Sequence, residues 1–221
     1  MIMLLGDIHG ETMALRDAVD KAVKTNATAI IQLGDFGMFS YNEKSFYVIA
    51  EQSPIPIYFI DGNHDDCIRW NQYSDITRLW DGLDMFYIPR GCVFELDGRT
   101  FAAMGGAASI DKNTRLMYNW HWDEYENISP EETLRLRENM EGKQIDILLT
   151  HCPPNSVIEK HFDPRQKLMF GVGLDWHDHN QDVIQHIWDS LDNIPIYSGH
   201  MHRSIIAPNY RIVDINETVM V

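Results

Sequence analysis

Seven residues spread along the chain are of the types that hold a pair of divalent metal ions. They are Asp7, His9, Asp35, Asn63, His151, His200 and His202. Each follows an apolar run of the kind that forms a buried strand. Carboxylate and amide oxygens with imidazole nitrogens suit Mn, Fe, Co, Ni or Zn, whereas the absence of thiolates disfavours a structural zinc site. Two such ions about 3.5 to 4 Å apart can hold a phosphate, generate hydroxide from a bridging water and stabilise the leaving oxygen of an in-line displacement.

The first three of these positions recur at a constant interval. Asp7, Asp35 and Asn63 are 28 residues apart each time, and each directly follows a glycine. An interval of this length accommodates one strand, one helix and two loops. We therefore expect the three side chains to emerge side by side at the carboxyl ends of neighbouring strands, where open α/β sheets bind ligands.

The periodicity of apolar residues predicts the elements that position the candidate ligands. Strands are predicted over residues 1–5, 29–33, 57–60, 85–88, 92–96, 100–104, 145–149 and 194–197, with two more in the tail 205–221. Helices are predicted over 11–22, 43–51, 129–140 and 181–191. Asp97-Gly98 is a hairpin turn signal, and Ser129 begins a capping box with Glu132. The strands at 145–149 and 194–197 would deliver the histidines of the second half.

Length and composition restrict the class of protein. A chain of 221 residues is expected to form a single domain over residues 1–221 and to bury roughly 70% of the surface of its unfolded form. Its 18 basic residues against 33 acidic ones give a net charge of −15. This balance argues against a protein that coats nucleic acid, because phosphate backbones require a basic surface.

The cysteines and the apolar runs predict where the chain works. Cys67, Cys92 and Cys152 are odd in number and far apart, which indicates a reducing compartment without a disulfide framework. The apolar start is only five residues long with no basic region before it, so it predicts a strand rather than a signal peptide. No run approaches the roughly 18 apolar residues of a membrane span. We expect a cytoplasmic protein.

Five blocks of sequence, taken in order, carry a family resemblance. They are Gly6-Asp7-Ile8-His9, Gly34-Asp35, Gly62-Asn63-His64-Asp65, Thr150-His151 and Gly199-His200-Met201-His202. Together they resemble the calcineurin-like metallophosphoesterase family, over residues 4–202. Any one block recurs by chance, whereas five in the family's order and at family-like spacing are specific. The resemblance implies an α/β fold, a four-layer αββα sandwich of two mixed β-sheets with outer helices.

The resemblance also implies a role for each residue of the site. Asp7, His9 and His202 would bind one metal ion, Asn63, His151 and His200 the other, and Asp35 would bridge them. Asn63 and His64 are the catalytic candidates, with His64 protonating the leaving oxygen while a metal-bound hydroxide attacks from the opposite side. Such a histidine needs a carboxylate that raises its pKa. Asp65, Asp66 and Asp61 remain open for this part.

The chain departs from the protein phosphatases of this family. Those enzymes follow the bridging aspartate with a second aspartate and an arginine, but this sequence continues as Phe36-Gly37-Met38-Phe39. The phosphate-binding arginine and the usual partner of the acid histidine are both missing here. The departure argues against a protein phosphatase and against a dinucleoside tetraphosphatase. The Gly-His-x-His ending is similar to that of a small phosphodiesterase-like branch found in bacteria and their phages.

Substrate recognition is expected in the segment 109–124, which is rich in aromatic residues for a loop. Lys112 and Arg115 are candidates to pair with phosphate, and Trp120 and Trp122 to stack on a base. The alternative is that the tryptophans pin the loop to the core while the two cations are solvated. The histidines at 161, 177 and 179 have no family counterpart and are expected at the surface. Cys152 is expected to be a buried packing residue beneath the metal loop.

The favoured function is a phosphodiesterase that acts on small nucleotides, with 2′,3′-cyclic nucleotides as the expected best substrates. Two divalent ions would be its cofactors, with manganese favoured and Fe, Zn, Ni or Co as alternatives. The competing functions are a phosphomonoesterase, including a protein phosphatase, and a non-catalytic scaffold of the same fold. The expected partner is a small phosphate ester or nucleotide, with no nucleic-acid coating and no membrane, in the cytoplasm of a bacterium or of a phage-infected host.

Overall fold

The structure is a computed structural model that describes residues 1–221. Its strands are β1 (Ile2–Leu5), β2 (Ala29–Leu33), β3 (Ile57–Ile60), β4 (Thr77–Arg78), β5 (Met85–Tyr87), β6 (Cys92–Leu96), β7 (Arg99–Met104), β8 (Ile147–Thr150), β9 (Ile196–Ser198), β10 (Ile205–Ile206), β11 (Tyr210–Ile212) and β12 (Thr218–Met220). Its α-helices are α1 (Thr12–Lys24), α2 (Glu43–Gln52), α3 (Cys67–Trp70), α4 (Lys112–Met117), α5 (Pro130–Met140), α6 (Asn155–His161) and α7 (His179–Ser190). Short 3₁₀ turns cover Glu124–Glu126 and Pro164–Phe170.

The strands form two six-stranded mixed sheets. The first has the order β12-β1-β2-β3-β5-β4 and the second β10-β11-β9-β8-β7-β6. In each sheet the four inner strands are parallel and the two outer ones antiparallel. Parallel strands buried on both faces consist almost entirely of apolar residues, and this is why the strand signals in the sequence are continuous rather than alternating.

Three apolar layers hold the sheets and helices together. On β1, Ile2 and Leu4 face the second sheet, where they pack with Phe101 and Leu149. The alternate residues of β1 face the other way and pack against α1 and α2, because successive side chains of a strand point to opposite faces. A third layer lies between the second sheet and helices α5, α6 and α7. The order of layers is helix, sheet, sheet, helix, so the predicted αββα sandwich of two mixed sheets is confirmed.

The structure differs from the predicted elements in several places, and it adds the short elements β4, α3 and α6, which the sequence did not predict. The strand predicted at 194–197 begins at Ile196, because Pro195 has no N–H to donate to a neighbouring strand and contributes only its carbonyl oxygen, to Leu148. The tail contains three strands rather than two, since β12 crosses to pair with β1 of the first sheet. The predicted loop 109–124 contains α4, whose single turn and a half is too short for a periodic signal. No helix combines the length and the apolar content needed to cross a membrane.

Candidate metal centre

The seven predicted ligands lie at the carboxyl ends of parallel strands from both sheets. Asp7, Asp35 and Asn63 follow β1, β2 and β3 by two to three residues, His151 follows β8 directly, and His200 and His202 follow β9. The two sheets pack face to face, so these strand ends meet across the space between them. The interval of 28 residues therefore brings the first three ligands together, as expected, and the second sheet adds the histidines.

The backbone at the site is held in an uncommon conformation. His9, Asp35, His200 and His202 have positive φ angles of 44°, 55°, 70° and 46°. Left-handed backbone at non-glycine residues is disfavoured by contacts of the Cβ atom and persists only where the surroundings enforce it. Four such residues in one small region aim their side chains at a common centre, at a cost in stability.

The first group of converging side chains is partly open to solvent, through His9 and His202. One potential ligand atom from each of Asp7, His9, Asp35 and His202 lies within 4.8 Å of the others. The Nε2 atoms of His9 and His202 are 2.9 Å apart, and Nε2 of His202 is 3.1 Å from Oδ2 of Asp7. Nε2 of His9 is 3.8 Å from Oδ2 of Asp35. Three of these residues, Asp7, His9 and His202, are the set that the resemblance assigns to one metal ion. Asp35 is the fourth.

The second group is more deeply buried and shares Asp35 with the first. Asp35, His151 and His200 place ligand atoms within 4.8 Å of one another. Nε2 of His151 lies 3.3 Å from Oδ1 of Asp35 and 3.2 Å from Oδ1 of Asn63, so the amide oxygen joins this group. Nδ1 of His151 donates to the carbonyl oxygen of Leu33 at 2.9 Å. That bond holds the ring so that Nε2 faces the centre.

The residues present fit a pair of metal ions. Oδ2 of Asp35 is buried and has no hydrogen-bond partner, which is costly for a carboxylate oxygen unless a cation satisfies it. The Nε2 atoms of His9 and His202 also face each other at 2.9 Å, a separation that two nitrogens bound to one cation can have. Oxygen and imidazole ligands in this combination suit the first-row divalent ions. Asp35 would contribute one oxygen to each group, as a bridging ligand must.

The protonation states of the site are set by burial and by Asp35. Burial opposes the charge of Asp35, but the neighbouring histidines together, His151 foremost, outweigh it and hold the pKa of the carboxyl well below its usual range. Burial likewise opposes a charge on His151, and Asp35 overcomes it to raise the pKa of that imidazole to about 10. Burial, with the nearby His151, lowers the pKa of His200 to about 4. Asp35 and His200 are therefore ready to bind a cation, while His151 would release a proton on binding.

Main-chain contacts lock the ligand carboxylates in place. Both oxygens of Asp7 accept from the backbone N–H of His200, at 3.0 and 3.1 Å. Oδ1 of Asp35 accepts from the backbone N–H of His64 at 2.7 Å. The close approach explains Gly62, because a Cβ atom there would overlap Oδ1 of Asp35 and the His151 ring. The absence of a side chain at Gly62 thus allows Asp35 and His151 to approach each other.

His64 borders the centre but has no carboxylate partner, contrary to the expectation. Its ring packs edge-on against the ring of His9 at 4.9 Å. Nη2 of Arg115 lies 2.6 and 2.5 Å from its two ring nitrogens. Burial lowers the pKa of His64; Asp35 opposes this and Arg115 adds to it. The expected carboxylate that would raise the pKa is replaced by a guanidinium.

The three aspartates considered as that partner serve structural contacts. Asp65 accepts hydrogen bonds from the backbone N–H groups of Phe36, Gly37 and Gly62. Asp66 caps helix α3 by accepting from the N–H of Arg69. Asp61 binds the buried Arg90 and accepts from the hydroxyl of Tyr87. All three are within three residues of His64 in sequence, but their side chains point to other partners.

The predicted substrate residues lie in different environments. Arg115 is 3% exposed, and it pairs with Asp111 at 3.0 Å and Glu126 at 3.2 Å. The alternative of a solvated Arg115 is therefore wrong, and its guanidinium is already paired with carboxylates. The ammonium of Lys112 lies 3.6 Å from the ring centre of Trp122, a cation–π contact that covers one face of that ring.

Trp120 is 59% exposed and stacks on Tyr118, so it does not pin the segment to the core. A second aromatic group, which the sequence did not single out, lies beside this segment. Phe39 stacks on exposed Tyr41 at 5.5 Å and meets the ring of His121 edge-on at 5.4 Å. The carbonyl oxygen of His121 accepts from Arg115, which connects this group to His64.

Sequence reasoning missed the role of Glu126. This residue is 1% exposed, and burial raises the pKa of its carboxyl to about 7 against the opposing effects of Ser109 and Arg115. Its oxygens contact Oγ of Ser109 and Nη1 of Arg115. No pattern in the sequence marks it, because its partners are 17 and 11 positions away in an irregular segment.

The remaining cysteine and histidine predictions concern residues outside the centre. Cys67, Cys92 and Cys152 are free and buried, and burial beside Asp178 raises the pKa of Cys152 well above its usual value. His177 and His179 are exposed, and half-buried His161 contacts the hydroxyl of Tyr210 at 2.7 Å.

Comparison with known proteins identifies the class to which this fold and site belong. Residues 1–204 match the model of the calcineurin-like phosphoesterase family, and the chain therefore belongs to that family. Membership of this family supports the activity of a metal-dependent phosphoesterase. No curated protein matches the sequence significantly.

Two solved structures have a similar fold. The crystal structure of TT1561 of Thermus thermophilus aligns with a TM-score of 0.62 at 16% identity, covering 97% of this chain and 89% of that one. Another crystal structure aligns with a TM-score of 0.57 at 9% identity, covering 96% of this chain and 89% of that one. At these identities the likeness concerns the fold alone.

Proposed function

We propose that this protein hydrolyses phosphodiester bonds in small nucleotides and uses two divalent metal ions, preferably manganese. The observation that carries the proposal is the position of Asp35, which belongs to both groups of converging side chains and keeps one buried oxygen without a partner. Asp7, His9 and His202 would hold one ion, and Asn63, His151 and His200 the other. When bound, such ions supply an activated water and neutralise phosphate charge.

His64 is proposed as the group that protonates the leaving oxygen. It lies against His9 at the edge of the centre and is half-buried. Its lowered pKa means that the free protein holds it neutral at pH 7. An anionic phosphate beside the ring would favour the protonated form, so the proton would be taken up together with the substrate.

The surroundings of the centre favour a diester over a monoester. A phosphomonoester carries up to two negative charges, and phosphate dianions are bound by free guanidinium groups. Phe39 stands in the loop after Asp35 where it contacts aromatic rings rather than supplying a cation. Arg115 is already paired with two carboxylates. A singly charged diester needs fewer cations, and 2′,3′-cyclic nucleotides are small, strained diesters.

A base of the substrate would stack on an exposed ring near the site. Trp120 offers the larger open surface of the two predicted tryptophans, whereas Lys112 already covers a face of Trp122. The free, buried cysteines support work in a reducing cytoplasm. We also propose that the whole chain acts as one domain, because both sheets contribute ligands.

Hydrolysis of bis-p-nitrophenyl phosphate in the presence of Mn²⁺ tests the proposal directly. We expect turnover with Mn²⁺ and none after chelation. His64→Ala should lose about 100-fold or more of the rate while still binding Mn²⁺, and the loss should be larger for an ester whose leaving group requires protonation. Undiminished turnover of a diester with an unactivated alcohol as leaving group would show that His64 is not the acid.

Two comparisons separate the alternatives. A strong preference for p-nitrophenyl phosphate over its diester under the same metal would indicate a phosphomonoesterase. A protein that binds two Mn²⁺ ions and hydrolyses no ester would be a scaffold. For the natural substrate, a screen of 2′,3′-cyclic, 3′,5′-cyclic and linear dinucleotides should rank the 2′,3′-cyclic compounds first.

A further inference from the structure

A closed cycle of hydrogen bonds begins and ends on Asn63. Nδ2 of Asn63 donates to Oγ of Ser109 over 3.1 Å, and that hydroxyl donates to Oε2 of Glu126 over 2.5 Å. Oε1 of Glu126 lies 3.2 Å from Nη1 of Arg115, which also donates to the Asn63 carbonyl oxygen over 3.1 Å. All four residues are at most 6% exposed, so water does not compete for these groups.

The cycle has a direction, and Glu126 sets it. The Glu126 carboxyl, whose pKa burial raises to about 7 against the opposing effects of Ser109 and Arg115, is ionised above that pH, and an ionised carboxylate only accepts hydrogen bonds. The single proton of the Ser109 hydroxyl is therefore committed to Glu126. Its oxygen is left as an acceptor on the side that faces Asn63.

This direction determines which end of the Asn63 amide faces the metal centre. The oxygen and the NH₂ group of an amide have nearly the same shape, so hydrogen bonding decides between its two orientations. Because Ser109 can only accept, Asn63 must turn its NH₂ group towards Ser109. Its Oδ1 atom then points to the centre, where it lies 3.2 Å from Nε2 of His151.

We propose that Ser109 and Glu126 are positioning residues that present the oxygen, rather than the NH₂ group, of Asn63 to the second metal ion. An NH₂ group has no lone pair to offer a cation, so a turned amide would remove one ligand. Arg115 closes the cycle and keeps the carboxylate oriented. This inference rests on the proposed metal centre and deepens it.

Glu126→Gln is an isosteric test of the direction. Arg115 donates only, so the new side chain would keep its oxygen on Arg115 and place its NH₂ group on Ser109. The hydroxyl would then donate towards Asn63 and favour the turned amide. We expect the affinity for Mn²⁺, measured by isothermal titration calorimetry, to fall by about 10- to 100-fold, as for other partners of metal ligands. Ser109→Ala, which leaves the amide without a fixed partner, should act in the same direction.

The decisive comparison repeats these substitutions in an Asn63→Asp background. A carboxylate presents an oxygen in either orientation and needs no orienting partner. Glu126→Gln should therefore change the Mn²⁺ affinity by less than about threefold in this background. An equal loss in both backgrounds would overturn the proposal, since it would assign Glu126 a purely structural role. No loss beside the natural Asn63 would overturn it as well.

Glu124→Gln is the matched control, because Glu124 is exposed in the same 3₁₀ turn and its side chain makes no contact with the cycle. Its Mn²⁺ affinity should equal that of the natural chain. Thermal unfolding without metal checks that each variant is folded. The readout is metal binding alone, so a protein that shows the expected affinities and hydrolyses no ester would contradict the proposed function and leave this inference standing.

Discussion

Two buried arginines flank the loop that follows β3, and they have different surroundings. Arg90 binds both oxygens of Asp61, contacts Glu132 at 3.4 Å and donates to carbonyl oxygens of Tyr125 and Asn127. Asp61 and Glu132 outweigh the effect of burial and hold the pKa of Arg90 above its usual value. All the partners of the Arg90 side chain are acceptors, and none of them is a candidate metal ligand. Arg90 thus stabilises the fold by joining these segments.

Arg115 lies on the other side of the same loop and reaches the chemistry. It shares the pattern of two carboxylates, here Asp111 and Glu126, and carbonyl oxygens. One of its nitrogens, however, lies against the His64 ring instead of an acceptor-only group. The difference shows that burial of an arginine does not by itself indicate a function. What links Arg115 to the candidate site is its contact with His64.

The largest effect should come from Arg90→Met. The substitution leaves Asp61 and Glu132 buried without a counter-charge, which typically costs about 3 to 5 kcal/mol of the free energy of unfolding. Urea denaturation measures it. Arg69→Met breaks the more exposed pair with Glu43 and should cost no more than about 1 kcal/mol. If both substitutions lowered the free energy of unfolding equally, the buried cluster would contribute no more to stability than the surface pair.

Arg115→Met should destabilise the protein less than Arg90→Met does, and it should reduce the activity more. Glu126 has a pKa of about 7, so it can take up a proton when its partner is lost, and we expect about 1 to 3 kcal/mol of destabilisation. His64 loses its neighbour, and its displacement should lower kcat/KM by up to about 100-fold. The comparison fails if Arg90→Met and Arg115→Met reduce the activity of the folded protein equally.

Tyr87→Phe weakens the Arg90 cluster by a single contact. The hydroxyl of Tyr87 donates to Oδ1 of Asp61 at 3.0 Å, and its loss should cost about 1 kcal/mol. The kcat for bis-p-nitrophenyl phosphate should stay unchanged, because Tyr87 contacts none of the candidate ligands. A fall in kcat would show that the Arg90 cluster also positions the site.

The smallest signal is the reactivity of two buried thiols, Cys67 near Arg90 and Cys152 in the apolar layer between the second sheet and its helices. Burial, with Asp61 nearby, raises the pKa of Cys67 well above its usual value, and burial beside Asp178 does the same for Cys152. Neither should react with a thiol reagent at about pH 8 in the folded protein, because the thiolate is the reactive form. Arg90→Met should accelerate labelling of Cys67 ahead of Cys152. Simultaneous labelling would mean that the two regions open as one unit.

The sequence was informative wherever a local rule applies. Strands β2, β3 and β6 have the predicted bounds, because continuous apolar runs between turn residues have few alternatives. Both hydrogen bonds of the predicted capping box between Ser129 and Glu132 are present. The short helices α3, α4 and α6 and the strands β4 and β12 escaped prediction, since they are held by tertiary contacts rather than by their own periodicity.

The sequence by itself determined the types of the seven candidate ligands, their delivery by strands and the family of the chain. Those features depend on side-chain chemistry and on the spacing of strand and helix, which are local properties. Only the tertiary structure decided that Arg115 rather than an aspartate meets His64, and that Ser109 and Glu126 form a cycle with Asn63. The contacts of Asn63 and His64 with this segment join positions that are 46 to 52 residues apart, and no rule of local sequence specifies which way such side chains point.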